Sequence, residues 1–107
     1  MKAGIQSVEA HLKEKLKDPH FRELYELEEE KSKIASLIVR YRLAHRLSQG
    51  QLARKLRITQ QQISKIEQGE FSSLSTIQKV LLGMGYHVTL RAAPLTPRLR
   101  HAFQSAA

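Results

Sequence analysis

Three consecutive glutamines, Gln60, Gln61 and Gln62, are followed one turn later by Ser64 and Lys65. A glutamine amide carries both a donor and an acceptor and can grip adenine at two points, while lysine can reach guanine. Each good base contact discriminates by about 1–3 kcal/mol. On a helix that begins near Gln60, Ile63 and Ile66 turn toward a core, leaving Gln60, Gln61, Ser64 and Lys65 on the exposed face. Glutamine is also an ordinary helix former on a wet surface. The cluster sits at the helix end that would enter a DNA groove, and that position favours base reading.

Such a helix must be held outward by others. Thr59 is a cap with Gln62 three residues on, and Ile58 before it pairs with Ile63 as a hydrophobic staple. The same arrangement stands 11 residues earlier: Ser48 caps, Gln51 closes the box, and Leu47 staples to Leu52. The first of these helices runs to about Leu56, and the second ends at Gly69, a residue suited to a left-handed stop. Only Arg57-Ile58-Thr59 join them. Two short helices and a tight turn make helix-turn-helix geometry, in which the second helix projects and fits a major groove about 12 Å wide.

Apolar spacing at Ile5, Val8, Leu12 and Leu16 predicts a helix from about Gln6 to Lys17. Asp18-Pro19 is a cap followed by a first-turn proline. The stripe Phe21, Leu24, Tyr25, Leu27 is interrupted by Glu28-Glu29-Glu30-Lys31-Ser32 and resumes at Ile34, Leu37, Ile38 and Tyr41. A helix is clear from Lys33 to Arg46; the pattern is compatible with one continuous helix or two. A further helix starts near Ser73 on Leu74, Ile77, Val80 and Leu81 and is broken by Gly83 and Gly85. From Tyr86 to Ala92 the residues alternate, which predicts a strand with Tyr86, Val88 and Leu90 on one side. A lone strand leaves unpaired N–H and C=O groups, and pairing with its twin across a two-fold axis is the simplest remedy. A homodimer of that kind spaces two reading helices about 34 Å apart, one turn of DNA. From Pro94 the chain is expected to be a flexible tail.

Of 107 residues, 41% are apolar and 26% charged, as in an ordinary globular chain, and the net charge is +8. Residues 1–32 hold six Lys or Arg against eight Asp or Glu; residues 33–107 hold twelve against two. An acidic arm thus precedes a basic body, and a basic body suits a polyanion. With no cysteine, disulfides and thiolate metal sites are excluded. The five histidines are scattered, so no metal or other cofactor is expected. No nucleophile motif or glycine-rich phosphate loop points to an enzyme. No apolar run approaches the roughly 20 residues of a membrane span, and no signal peptide is visible, so the cytoplasm is the expected location.

The segments Leu47–Leu56 and Ile58–Gly69 resemble the helix-turn-helix of the Xre family, which includes lambdoid phage repressors; the likeness runs from about Lys33 to Gly83. It implies a mainly α, lambda-repressor-like helix-turn-helix bundle, here with an N-terminal helical extension and one C-terminal β-strand, acting as a symmetric dimer on double-stranded operator DNA. By position it implies that Gln60, Gln61 and Lys65 read bases, with Ser64 beside them on the exposed face. Gln49 falls at a phosphate-binding position, and Ser72, Ser73 and Ser75 fall where the family often grips the backbone; Arg54 is a further phosphate candidate on the scaffold helix. Arg42 and Glu67 match a structural ion pair. Glu70 departs from the pattern, since a basic or neutral residue is frequent there, and this counts against phosphate contact by that loop.

The flanks, Asp18–Tyr25 with the acidic run after it and Gly85–Leu90, are similar to HigA-type antitoxins. These neutralise a small basic ribonuclease toxin of HigB/RelE type and repress their own operon. The resemblance implies a toxin-binding arm over residues 1–32, with Phe21, Leu24 and Tyr25 as apolar anchors and Glu28 and Glu29 facing a basic partner. The DNA-binding domain follows over 33–85, the dimerisation strand over 86–93 and the tail over 94–107. A stand-alone repressor without a toxin, whose N-terminal helices serve dimerisation, is the alternative, and an RNA-binding or structural protein is a third reading.

Overall fold

Six helices follow one another along the chain: α1 (Lys2–Lys15), α2 (Pro19–Ala44), α3 (Gln49–Leu56), α4 (Gln60–Glu67), α5 (Leu74–Gly83) and α6 (Pro97–Ser105). The structure, a computed structural model, describes residues 2–71 and 73–105, and side chains from Ser7 to Gln104 apart from Ser72. Among the described residues no helix is long and apolar enough to cross a membrane. The two segments left open by the apolar pattern are one helix, α2. The chain divides into two compact units, Met1–Leu27 with Ala92–Ala107, and Glu28–Arg91.

The unit Glu28–Arg91 is built around Ile38 of α2, Leu52, Ala53 and Leu56 of α3, Ile63 and Ile66 of α4, Ile77, Val80 and Leu81 of α5, and Met84. These side chains are buried. Burying an aliphatic side chain of this size is worth about 1.5–3 kcal/mol, so the cluster is the main stabilising feature of the unit. α3 lies at its centre, packed against both α4 and α5. The approach of α5 is close: a Cβ placed on Gly83 would collide with Leu56 Cδ2.

Local chemistry sets the helix ends. α2, α3, α4 and α5 all stop by the same device, at Arg46, Arg57, Gly69 and Gly85, each with positive φ (54°, 59°, 79° and 92°). In each, the left-handed residue's N–H reaches back three residues and the next residue's N–H reaches back five, as in Leu47 N–H to Arg42 O (3.0 Å) and Ile58 N–H to Ala53 O (3.0 Å). This closure satisfies carbonyls that a helix end leaves without partners. At Arg46 and Arg57 no glycine eases the backbone. There the following residue, Leu47 or Ile58, packs against the core and is also the residue before the next cap. One apolar side chain therefore closes one helix and staples the next, which is why the connections are so short.

Two expectations need correction. Among the described residues there is no strand, and Tyr86–Ala93 is irregular. The Tyr86 N–H is spent on Leu81 O (2.8 Å), closing α5. With no ladder to hold the pleat, Tyr86, Val88 and Leu90 do not share a face: Val88 packs on the core while Tyr86 and Leu90 are exposed. The tail, in turn, contains α6. Pro97 occupies its first turn, where a missing N–H does no harm; Thr96 O accepts from Arg100 N–H (2.8 Å) and Thr96 Oγ1 from Leu99 N–H (3.3 Å). Asp18 starts α2 in the same way, its Oδ1 accepting from His20 N–H at 3.0 Å ahead of Pro19. Within this second unit Phe103 meets His20 edge-on at 4.2 Å.

Candidate nucleic-acid interface

Both cap boxes form as the sequence predicts. Ser48 Oγ accepts from Gln51 N–H (3.1 Å), and Gln51 Oε1 accepts from Ser48 N–H (2.8 Å). Thr59 Oγ1 accepts from Gln62 N–H (3.0 Å), and Gln62 Oε1 accepts from Thr59 N–H (2.9 Å). Between the two helices, Lys79 of α5 donates from Nζ to Arg57 O at 3.0 Å and pins the turn. Sequence reasoning missed this clamp; it spans 22 residues and leaves no local signature.

Ile63 and Ile66 are sunk in the core at 0% and 2% exposure, which orients α4. Gln60, Gln61 and Lys65 are exposed and Ser64 is half-buried. Residues 60 and 64, and 61 and 65, stand one turn apart, so these four share the outer surface of α4. Gly50, in the first turn of α3, lets the Gln60 amide lie near the α3 backbone: a Cβ there would stand 3.2 Å from Gln60 Oε1. The start of α3 and the start of α4 are thereby brought side by side.

The α4 C-terminus is fixed by Arg42 and Glu67. Arg42 Nε donates to Glu67 Oε2 (2.7 Å) and Nη2 to Oε1 (3.0 Å), a two-point pair, while Nη1 donates to Leu47 O (3.1 Å). The side chains are only 16% and 7% exposed. The hydrogen bonds to Glu67 raise the Arg42 pKa above its ordinary value; burial opposes this and the Glu67 charge adds to it. Gln49 joins the same centre, Nε2 donating to Glu67 Oε1 at 3.2 Å. α2, α3 and α4 thus meet on one carboxylate. The amide of the phosphate candidate Gln49 has this internal partner, which spacing alone did not reveal.

The other phosphate candidates are placed unevenly. Arg54 is exposed on α3. Ser73 caps α5, its Oγ accepting from Thr76 N–H (3.3 Å) and lying 3.1 Å from Ser75 Oγ, so both hydroxyls are engaged in starting that helix. Ser72 lies outside the described residues. Of the toxin-binding candidates, Phe21 stacks on Tyr25 with ring centroids 6.2 Å apart, and both are half-buried. Leu24 is exposed, as are Glu28 and Glu29, with Glu28 pairing to Lys31 at 3.5 Å. The aromatic pair and Leu24 belong to one unit and the two glutamates to the other.

Two capped helices joined by a tight turn, with the second exposing amides and a lysine, define a helix-turn-helix. Residues 38–90 match the helix-turn-helix family, and this segment is an Xre-like, DNA-binding helix-turn-helix domain. No curated protein matches the chain.

Proposed function

We propose that the chain is a transcriptional repressor that binds palindromic operator DNA as a homodimer, without enzymatic activity. The observation that carries this is the outward row Gln60, Gln61 and Lys65 on a helix anchored at both ends, by the Thr59 box and by Arg42–Glu67. The amides suit base edges, and the lysine suits guanine or phosphate. Dimerisation draws support from Tyr86 and Leu90, large apolar side chains that are exposed at 47% and 77%. The test is selection of duplexes from a random pool, followed by titration of the winner and a scrambled duplex. Gln61→Ala weakens binding to the winner by about 1–3 kcal/mol and leaves scrambled binding unchanged. A wild-type chain that binds both duplexes equally overturns the reading.

A second, more specific reading is that this repressor is a HigA-type antitoxin in the cytoplasm, neutralising a small basic ribonuclease of HigB/RelE type. It is favoured by Met1–Leu27 with Ala92–Ala107, which form a compact unit of their own and expose Leu24 and Leu27 at 66% and 56%. Such apolar positions are natural anchors for a partner. The test is Leu24→Arg in the full chain: operator binding persists while protection against the co-encoded ribonuclease is lost. Retained protection by that variant, and by Phe21→Ala, overturns the toxin-binding surface.

A further inference from the structure

Between Glu30 and Glu67 the chain has no acidic residue, yet it holds five glutamines: Gln49, Gln51, Gln60, Gln61 and Gln62. Gln60 and Gln61 face outward, and Gln49 donates to Glu67. The remaining two close the cap boxes, and a box is closed as well by glutamate as by glutamine. Glutamate has a local advantage, because a negative charge in the first turn is favoured by the helix dipole by about 0.3–1 kcal/mol. Both boxes forgo it.

The hydrogen bonds fix which way each amide points. The N-cap N–H is a donor, so the atom facing it must be the carbonyl oxygen, as found for Gln51 Oε1 (2.8 Å from Ser48 N) and Gln62 Oε1 (2.9 Å from Thr59 N). Nε2 is therefore turned away from the cap, and both side chains are exposed. Each box leaves a donor-only group with its rotamer already set, and ordering a side chain in advance removes a cost of binding. A phosphodiester oxygen takes such donors and would repel a carboxylate in the same place.

We propose that Gln51 and Gln62 are DNA phosphate-binding residues as well as caps, each donating from Nε2 to the duplex backbone at the starts of α3 and α4. This rests on the DNA-binding reading and adds two contacts to it. Glutamate substitution separates the two roles, since it keeps the box and removes the donor. Gln51→Glu, Gln62→Glu and, as a control for added charge, Gln78→Glu on the exposed surface of α5 are made in the full chain. Each is titrated with a mixed-sequence 30-base-pair duplex across a salt series, because phosphate contacts do not depend on sequence. Urea unfolding of each variant is measured in parallel.

Gln51→Glu and Gln62→Glu unfold at the wild-type urea midpoint or above it. Each binds the duplex about tenfold more weakly than Gln78→Glu, the loss of a charge-assisted hydrogen bond. Binding within twofold of Gln78→Glu by both variants, while wild type binds well, overturns the phosphate contacts alone. A wild type that ignores the duplex overturns the DNA reading and this one together.

Discussion

The two units of the chain use the same helical vocabulary and reach different kinds of stability. All the buried side chains among those described lie between Ala35 and Met84, inside Glu28–Arg91. The unit formed by Met1–Leu27 with Ala92–Ala107 has none; its contacts are half-buried rings such as Phe21 on Tyr25, and exposed ion pairs such as Arg22–Glu26. The difference is one of sequence. The first unit repeats isoleucine, leucine and valine at helical spacing on four successive segments. The second spreads its apolar residues among charges: among the described side chains α1 offers the large apolar residues Val8 and Leu12, with Leu16 just past its end. Burial is concentrated in the unit that carries the helix-turn-helix.

The sharpest way to break that contrast is at Glu67. Removing Glu67 from this largely buried ion pair leaves Arg42 with Leu47 O as its remaining partner, and the loss of one member of a buried pair costs up to about 3–5 kcal/mol. Glu67→Ala also orphans the Gln49 amide. Urea unfolding followed by circular dichroism is expected to show a loss of that size, and a loss below about 1 kcal/mol would mean that solvent already screens the pair. Next in size is Gly83→Ala. Its new methyl meets Leu56 Cδ2, and Leu56 is itself held in the core, so either Leu56 takes another rotamer there or α5 and α3 separate. Overpacking of this kind costs about 1–3 kcal/mol. Alanine otherwise favours a helix, so an unchanged or raised urea midpoint would show that Leu56 has room to turn.

Most of the DNA-binding unit was legible because its instructions are local. A cap, a box residue three positions on and a staple occupy six residues, and both copies form as the spacing predicts. The glycine stops at Gly69 and Gly85 were legible for the same reason. The identical stops at Arg46 and Arg57 were not: a left-handed arginine has no compositional marker, and what holds it is burial of the next residue in a core assembled from distant segments. The Gln49–Glu67 and Lys79–Arg57 bonds span 18 and 22 residues and fail the same test. The strand was misread because alternation describes a pattern of side chains, whereas a strand needs a second backbone, and Tyr86 had committed its N–H to α5. The helix α6 opens on Thr96-Pro97 just as α2 opens on Asp18-Pro19, but its prolines and small residues also suit a loose tail, so its start is less legible.

The smallest expected effect closes the contrast from the other side. Arg22 and Glu26 form an i,i+4 pair at 3.4 Å with side chains 66% and 62% exposed. Water solvates both charges almost as well apart as together, and holding two long side chains in one geometry costs entropy, so such pairs are worth about 0.3–0.5 kcal/mol. The orientation is also the weaker one, with the base nearer the helix N-terminus. A double-mutant cycle on Arg22→Ala and Glu26→Ala is expected to return a coupling energy below about 0.5 kcal/mol that vanishes in high salt. The same cycle on Arg42→Ala and Glu67→Ala returns a coupling several-fold larger that salt barely touches, because bulk ions do not enter a pair so little exposed. If the Arg22–Glu26 coupling proves as large and as salt-resistant, that segment is packed more tightly than its exposure implies, and the division of stability between the two units fails.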